Sequence, residues 1–253
     1  MTENSETAYR IQCREIWGGN GDVDCDVFTG GIKATIYSKS SQGNHGGDIY
    51  YFSVCQNDFV TRIAIADLRG HGSEVSALSE WIYELLSANM DAINNDEILS
   101  SLNRLLIERG ISALTTAAVL AFYTENSQLY FAYAGHPTPY LKRKNKSAWE
   151  PLFRAQTASL SNGLLGAFPA ATYDQSVTPL ECGDRLTLYT DGVTERFSVD
   201  FEEFGEQRLC QVLEAEGSGE LSTVKRSVLV ALEAHANGMR QEDDATILII
   251  EIL

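Results

Sequence analysis

The hydrophobic pattern changes period only a few times along this chain, and the order of those changes restricts the fold. Ile32 to Ser40 (IKATIYSKS) alternates as a strand, and the turn-rich SQGNHGGD follows it. IYYFSVC and FVTRIAIAD flank Gln56-Asn57-Asp58, two strand runs around a polar turn, which predicts a β-hairpin. From Ser73 the period becomes helical, with Val75, Leu78, Ile82, Leu85 and Leu86 on one face. A second helix is expected from Asn95 or Asp96, with Ile98, Leu102, Leu105 and Leu106 inward. Asn and Asp suit its N-cap, and Glu97 suits its first turn. Strands resume in TTAAVLAFY and QLYFAYAG, in the hairpin PYLKRKNKSAWEPLF, and in RLTLYTD. Ser222 to Ala236 carries Val224, Val228, Leu229 and Leu232 at helical spacing before the C-cap signal Asn237-Gly238, and DDATILIIEIL closes as a strand.

Strand runs joined by hairpins favour antiparallel sheets, and helices segregated in sequence favour an α+β arrangement over a doubly wound one. No Pro/Gly/Ser linker splits the chain, so residues 21–253 are expected to form one domain. Residues 1–20 are expected to be loosely ordered, with IWGGNG (Ile16 to Gly21) as a turn.

Charge and composition exclude several classes. A formal charge of −16 repels phosphate backbones, so nucleic acid is a poor partner. No apolar run approaches the ~18–20 residues of a membrane helix. Met1 to Ala8 is polar and lacks the order of a signal peptide, so a cytoplasmic protein is expected. The five cysteines contain no C-x-x-C pair, which favours reduced thiols over disulfides or zinc.

The strand runs share one further feature. GGD, Gly46 to Asp48, precedes a strand; AIAD ends one at Asp67; LYTD ends one at Asp191; QEDD opens one at Asp243 and Asp244. A strand end is a rigid mount for a side chain, and a neighbouring glycine permits close backbone approach. Each aspartate alone reads equally well as a solvated turn. Brought together, such like charges must either take up protons or bind cations. Oxygen-only ligands suit magnesium or manganese rather than zinc, and two such ions can clamp a phosphoryl group.

GGDIYYF, IADLRGHG, TTAAVLAFY…LYFAYAGHP, GLLG, GDRLTLYTDGVTE and DDATILII occur in that order. Together they resemble the metal-dependent serine/threonine phosphatases of the PPM superfamily, in the bacterial branch typified by the stage II sporulation E phosphatase. The resemblance implies an antiparallel β-sandwich flanked by helices, with a two-metal site at one sheet edge. It implies hydrolysis of phosphoserine or phosphothreonine on a protein, by a water bridging two manganese or magnesium ions. By position, it implies metal ligation by Asp48, Asp67, Asp191 and Asp243 and by the Leu68 carbonyl, with Asp244 as the adjacent alternative for the last ligand. By analogy, the phosphoprotein substrate would be a signalling regulator such as an anti-sigma-factor antagonist. The resemblance also leaves room for an activating partner chain and for a homodimer, to which Trp81 would belong unless it is core. With about 45 residues ahead of Asp48, no added sensor module is expected in that stretch.

Several residues admit two readings. His71 is a candidate general acid, or a histidine in a helix-capping glycine turn. His136 in AGHP reads as structural rather than catalytic. Arg69 stands in DLRGHG where the family usually has a small or apolar residue; it would contact phosphate or pair with a nearby acid. KRKNK (Lys142 to Lys146) is either a docking patch for an acidic phosphoprotein or a solvated hairpin tip. Two other functions fit the same residues. A pseudophosphatase that only binds a partner would be marked by lost aspartates, and none is lost. A metallohydrolase of small phosphate esters would be told apart by its preference for such an ester over a phosphopeptide.

Overall fold

In the computed structural model, residues 7–55, 57–70, 73–89, 92–110, 114–153, 161–217 and 219–253 are described. In chain order they form β1 (Thr7–Arg10), β2 (Ile16–Gly21), β3 (Val23–Phe28), β4 (Ile32–Lys39), β5 (His45–Cys55) and β6 (Val60–Leu68), then helices α1 (Ser73–Ala88) and α2 (Asn95–Glu108). Next come β7 (Thr115–Tyr123), β8 (Gln128–Ala134), β9 (Tyr140–Lys142), β10 (Trp149–Pro151), β11 (Ser176–Pro179) and β12 (Arg185–Tyr189). The one-turn α3 (Asp191–Thr194), then α4 (Gly205–Glu216), α5 (Leu221–Ala236) and β13 (Ala245–Ile252) complete the chain.

The strands build two sheets, ordered β1-β3-β4-β13-β12-β9-β10 and β11-β8-β7-β6-β5-β2. All pairings are antiparallel except β1 with β3. The expected α+β sandwich is therefore present, in four layers. Along β5, Tyr50, Phe52 and Val54 face the opposite sheet, where Ile36, Leu188 and Leu248 meet them. Ile49 and Tyr51 face outward onto Ile82 and Leu86 of α1 and Leu99 and Leu102 of α2. Because both faces are covered, the central strands read as nearly unbroken apolar runs rather than as alternating ones. Ala64, Ala66, Ala117 and Ala132 supply small side chains beneath the helices. On the other outer face, Leu209 and Leu213 of α4 and Val224 and Val228 of α5 pack on Tyr189 and Ile247. Each such side chain contributes roughly 1.5–3 kcal/mol when fully buried. At its C-terminus α5 stops on Asn237 in the left-handed conformation, followed by Gly238, as the sequence predicts.

The N-terminal segment departs from expectation. Residues 7–10 and 16–21 are strands, not loose chain, and IWGGNG is β2 rather than a turn. Aromatic packing holds them: Trp17 lies 5.4 Å from the Tyr50 ring and 5.9 Å from Phe52, and Tyr9 stacks 5.0 Å from Trp17. Gly18 is needed for proximity, since a Cβ there would stand 2.2 Å from the Tyr50 carbonyl oxygen. The sequence reading also passed over β3, β11, α3 and α4. On the opposite side, Trp81 is a partly buried member of the helix-facing core, with the Arg109 guanidinium 4.1 Å above its ring.

Candidate metal centre

Two antiparallel strand pairs, one from each sheet, bring the aspartates to one mouth of the sandwich. Ile49 pairs with Ala66, so the start of β5 and the end of β6 carry Asp48 and Asp67 to the same edge. Tyr189 pairs with Ile247, so the end of β12 and the start of β13 do the same for Asp191 and Asp243-Asp244. Convergence is possible because three positions lack a Cβ. One at Gly192 would lie 1.8 Å from the Asp244 carbonyl oxygen. One at Gly46 would lie 2.1 Å from Asp244 Oδ2, and one at Gly47 would lie 2.7 Å from the Leu68 carbonyl oxygen. The glycines of GGD and DG therefore serve packing at the mouth, beyond the turns that they suggest in sequence.

The carboxylates feel one another. Burial, then the charges of Asp48, Asp191, Asp243 and Asp244, push the Asp67 carboxyl up to about 9. Asp48 is pushed up to about 8, chiefly by burial and then by Asp244 and Asp243, against the lowering effect of hydrogen bonding, for which the Thr190 hydroxyl is the donor in reach. Asp191 is raised by burial and held back by the Gly192 N–H. Without a cation, these groups stay ionised near neutral pH only at a cost.

Asp243 and Asp244 take different parts. Asp244 is buried, and both its oxygens are occupied: Ser41 N–H donates to Oδ1 at 2.7 Å and Gly47 N–H to Oδ2 at 2.5 Å. Asp243 is exposed, accepts the Asp244 N–H at 2.8 Å, and lines a cleft of about 180 Å³ with Gly192, Glu195 and Arg196.

Thr190 was not visible as a functional residue in the sequence. It is fully buried, and its hydroxyl donates to Asp48 Oδ2 at 2.7 Å. Asp48 Oδ1 is buried too and has no hydrogen-bond partner. An anionic oxygen left in that state is a donor atom for a hard cation. Among the described residues, no three His, Cys, Asp or Glu side chains stand close enough together to hold a metal ion as they are placed. The donors fit magnesium or manganese in kind, being oxygens throughout, and Asp48 Oδ1 is buried and unshared.

The remaining candidates are scattered. Arg69 is exposed at the end of β6 and makes no salt bridge among the described residues; its backbone N–H bonds the Leu114 carbonyl. His71 lies outside the described residues. His136 is buried, its Nδ1 2.8 Å from Thr116 Oγ1, and Thr116 pairs with Asp67. Burial pushes its imidazole down to about 3. Its ring resonances are therefore expected not to titrate between about pH 5 and 8, which an NMR pH series checks. A shift through that range would mean that the ring is open to solvent. The KRKNK tip joins β9 to β10, with Arg143 paired to Asp184 and Lys146 to Glu150. Arg185, paired with Lys142, marks the end of β12 opposite Asp191, so this tip lies away from the carboxylates.

Residues 57–253 match the family model described as Stage II sporulation protein E (SpoIIE). The chain belongs to the SpoIIE family. A curated relative, the phosphoserine phosphatase RsbU of Bacillus subtilis (strain 168), is 29% identical over 155 residues, which is 59% of this chain and 43% of RsbU. The SpoIIE-family chain spans less than half the length of the curated relatives it matches. Among solved structures, the SiaA-PP2C domain of Pseudomonas aeruginosa superposes with a TM-score of 0.74 at 20% identity, covering 86% of this chain and 85% of that one. RsbX in complex with magnesium superposes with a TM-score of 0.65 at 18% identity, covering 91% of this chain and 100% of RsbX. The α+β sandwich is thus the PP2C fold, carried by a SpoIIE-family sequence. Among the described residues, no helix is long and apolar enough to cross a membrane.

Proposed function

We propose that this SpoIIE-family chain is a cytoplasmic, metal-dependent phosphatase that hydrolyses phosphoserine or phosphothreonine on a protein. A signalling regulator of the anti-sigma-factor-antagonist kind is the proposed substrate. The observation that carries the reading is Asp48 Oδ1, a buried and unpartnered carboxylate oxygen among aspartates from both sheets. Family membership, and the phosphoserine phosphatase activity that RsbU's name records, support it.

Asp48, Asp67, Asp191 and Asp243, with the Leu68 carbonyl, would hold two divalent ions, magnesium or manganese. Asp243 is preferred to Asp244 because the latter's oxygens are already used by Ser41 and Gly47. Bound there, the ions supply Lewis acidity, lowering the pKa of water and offsetting phosphoryl charge. They also take the formal charge from −16 to −12, with the whole gain at the site where a dianionic substrate must approach. The chain's own residues supply position. Thr190 orients Asp48, Asp244 holds the Gly47 amide at the start of β5, and Gly192 lets the ends of β12 and β13 meet. The leaving alkoxide needs a proton, a role proposed for His71.

Phosphate release from a phosphoserine peptide in EDTA, in magnesium and in manganese tests this, for wild type and Asp191→Ala. Release is expected only with metal, and Asp191→Ala is expected to lower it about a thousandfold or more, equivalent to several kcal/mol of transition-state stabilisation. Release that persists in EDTA, or equal rates in the variant, overturns the reading. A generic phosphate ester, run alongside, separates a protein phosphatase from a small-ester hydrolase.

A further inference from the structure

We infer that Thr190 is a positioning residue: its hydroxyl binds one oxygen of Asp48 so that the other is left to face a divalent cation. The inference rests on the metal-dependent reading given above and names the residue that prepares its most deeply buried ligand.

The direction of the hydrogen bonds is fixed by elimination. Thr246 N–H donates to Thr190 Oγ1 at 2.9 Å, which occupies an acceptor site on that oxygen. The hydroxyl has one hydrogen, and in the ionised form, the one that can hold a cation, the carboxylate can only accept. The 2.7 Å contact is therefore Thr190 Oγ1–H donating to Asp48 Oδ2. The residue itself cannot drift, because Thr190 N–H donates to the Thr246 carbonyl at 3.0 Å. The Thr246 hydroxyl is turned to β4, 2.8 Å from Ser38 Oγ. The residue that follows β12, itself fixed by β13 of the same sheet, thus reaches a side chain of β5 in the other.

A second observation is independent of these distances. Thr190 is the N-cap of α3, a position at which a threonine hydroxyl ordinarily accepts from an amide in the first turn. Here the hydroxyl makes no cap bond. It gives up the local partner for one 142 residues away in sequence, across the sandwich. A residue serving only to start the helix would not do so. Its bond leaves Asp48 Oδ1 buried and unpartnered, the state in which a ligand waits for a cation.

Calorimetric titration of the full chain with manganese tests the assignment, using wild type, Thr190→Val and Thr190→Ser, each with a melting curve in EDTA. Valine keeps the shape and removes the donor. It is expected to weaken manganese binding by about 10–100-fold, the usual cost of losing a partner behind a metal ligand. Serine, which keeps the hydroxyl, is expected to restore most of that loss. A valine variant that binds manganese as tightly as wild type overturns the inference, whatever its melting temperature. If the valine protein does not fold, Thr190→Ala is compared with Thr190→Ser, and wild-type affinity in the alanine protein is equally decisive against it. Wild type that binds no manganese overturns the metal site and this inference together. Wild type that binds, with a donor-free variant that binds equally, overturns the inference alone.

Discussion

Gly192→Ala is expected to lower the melting temperature by about 6–12 °C and to abolish manganese binding. The added Cβ would sit 1.8 Å from the Asp244 carbonyl oxygen and 2.9 Å from its carbon. Both are backbone atoms, so no rotamer change relieves the contact. Overpacking costs about 1–3 kcal/mol where side chains can adjust, which places this case near or above 3 kcal/mol. Each kcal/mol is worth about 2–4 °C in a chain of this size. The displaced segments are the end of β12 and the start of β13, and those segments carry Asp191 and Asp243. Gly163→Ala is the matched control, because nothing lies within 4 Å of a Cβ there. It is expected to melt with wild type. A Gly192→Ala protein that melts within about 2 °C of wild type and still binds manganese would show that the two strand ends are not held in contact.

The second large effect is on the pH dependence of stability. Asp48 and Asp67 have folded-state values pushed up to about 8 and about 9, above the ordinary 3.8. A carboxyl that binds its proton more tightly when folded gives the native state more protons than the unfolded state. Stability therefore falls as pH rises between about 4 and 9, and levels off above that. At 1.36 kcal/mol per unit, the rise on Asp48 alone corresponds to a loss on the order of 5 kcal/mol, or roughly 10–20 °C, across the window, and Asp67 acts in the same direction. In manganese the sign reverses, since a cation favours the ionised forms and competes better with protons as pH rises. Melting curves from about pH 5 to 9, in EDTA and in manganese, check this. A metal-free protein whose melting temperature rises toward pH 9 would mean that these two carboxyls are ionised without help.

Much of this architecture is legible in the chain itself. Apolar runs against a 3.6 period separate the central strands from α1, α2 and α5, and the aspartates stand out because they open or close such runs, Asp48 and Asp191 beside a glycine. What was missed depends on contacts between distant segments. IWGGNG carries turn residues, and only the Tyr50 carbonyl pressed against Gly18 shows why glycine suits a strand there. The segment of α4 is highly charged and buries few side chains, Leu209 and Leu213 among them, too sparse a stripe to announce a helix. Adjacent aspartates cannot be told apart by spacing; the amides of Ser41 and Gly47 separate Asp244 from Asp243. Thr190 is hidden for the same reason, since its partner lies on the other sheet.

The two sheets share no strand, so the proposed ligand set is divided by a seam: Asp48 and Asp67 on one side, Asp191 and Asp243 on the other. Thr190 to Asp48 is a polar stitch across that seam at the mouth. The aperture of the sandwich therefore sets the spacing of the carboxylates, as the opening of a pair of jaws sets the width that they can grip. A cation gripped there would rivet one sheet to the other. Any load that spreads the sheets at this end would be resisted by the bonds that hold the ion, so grip and geometry would fail together.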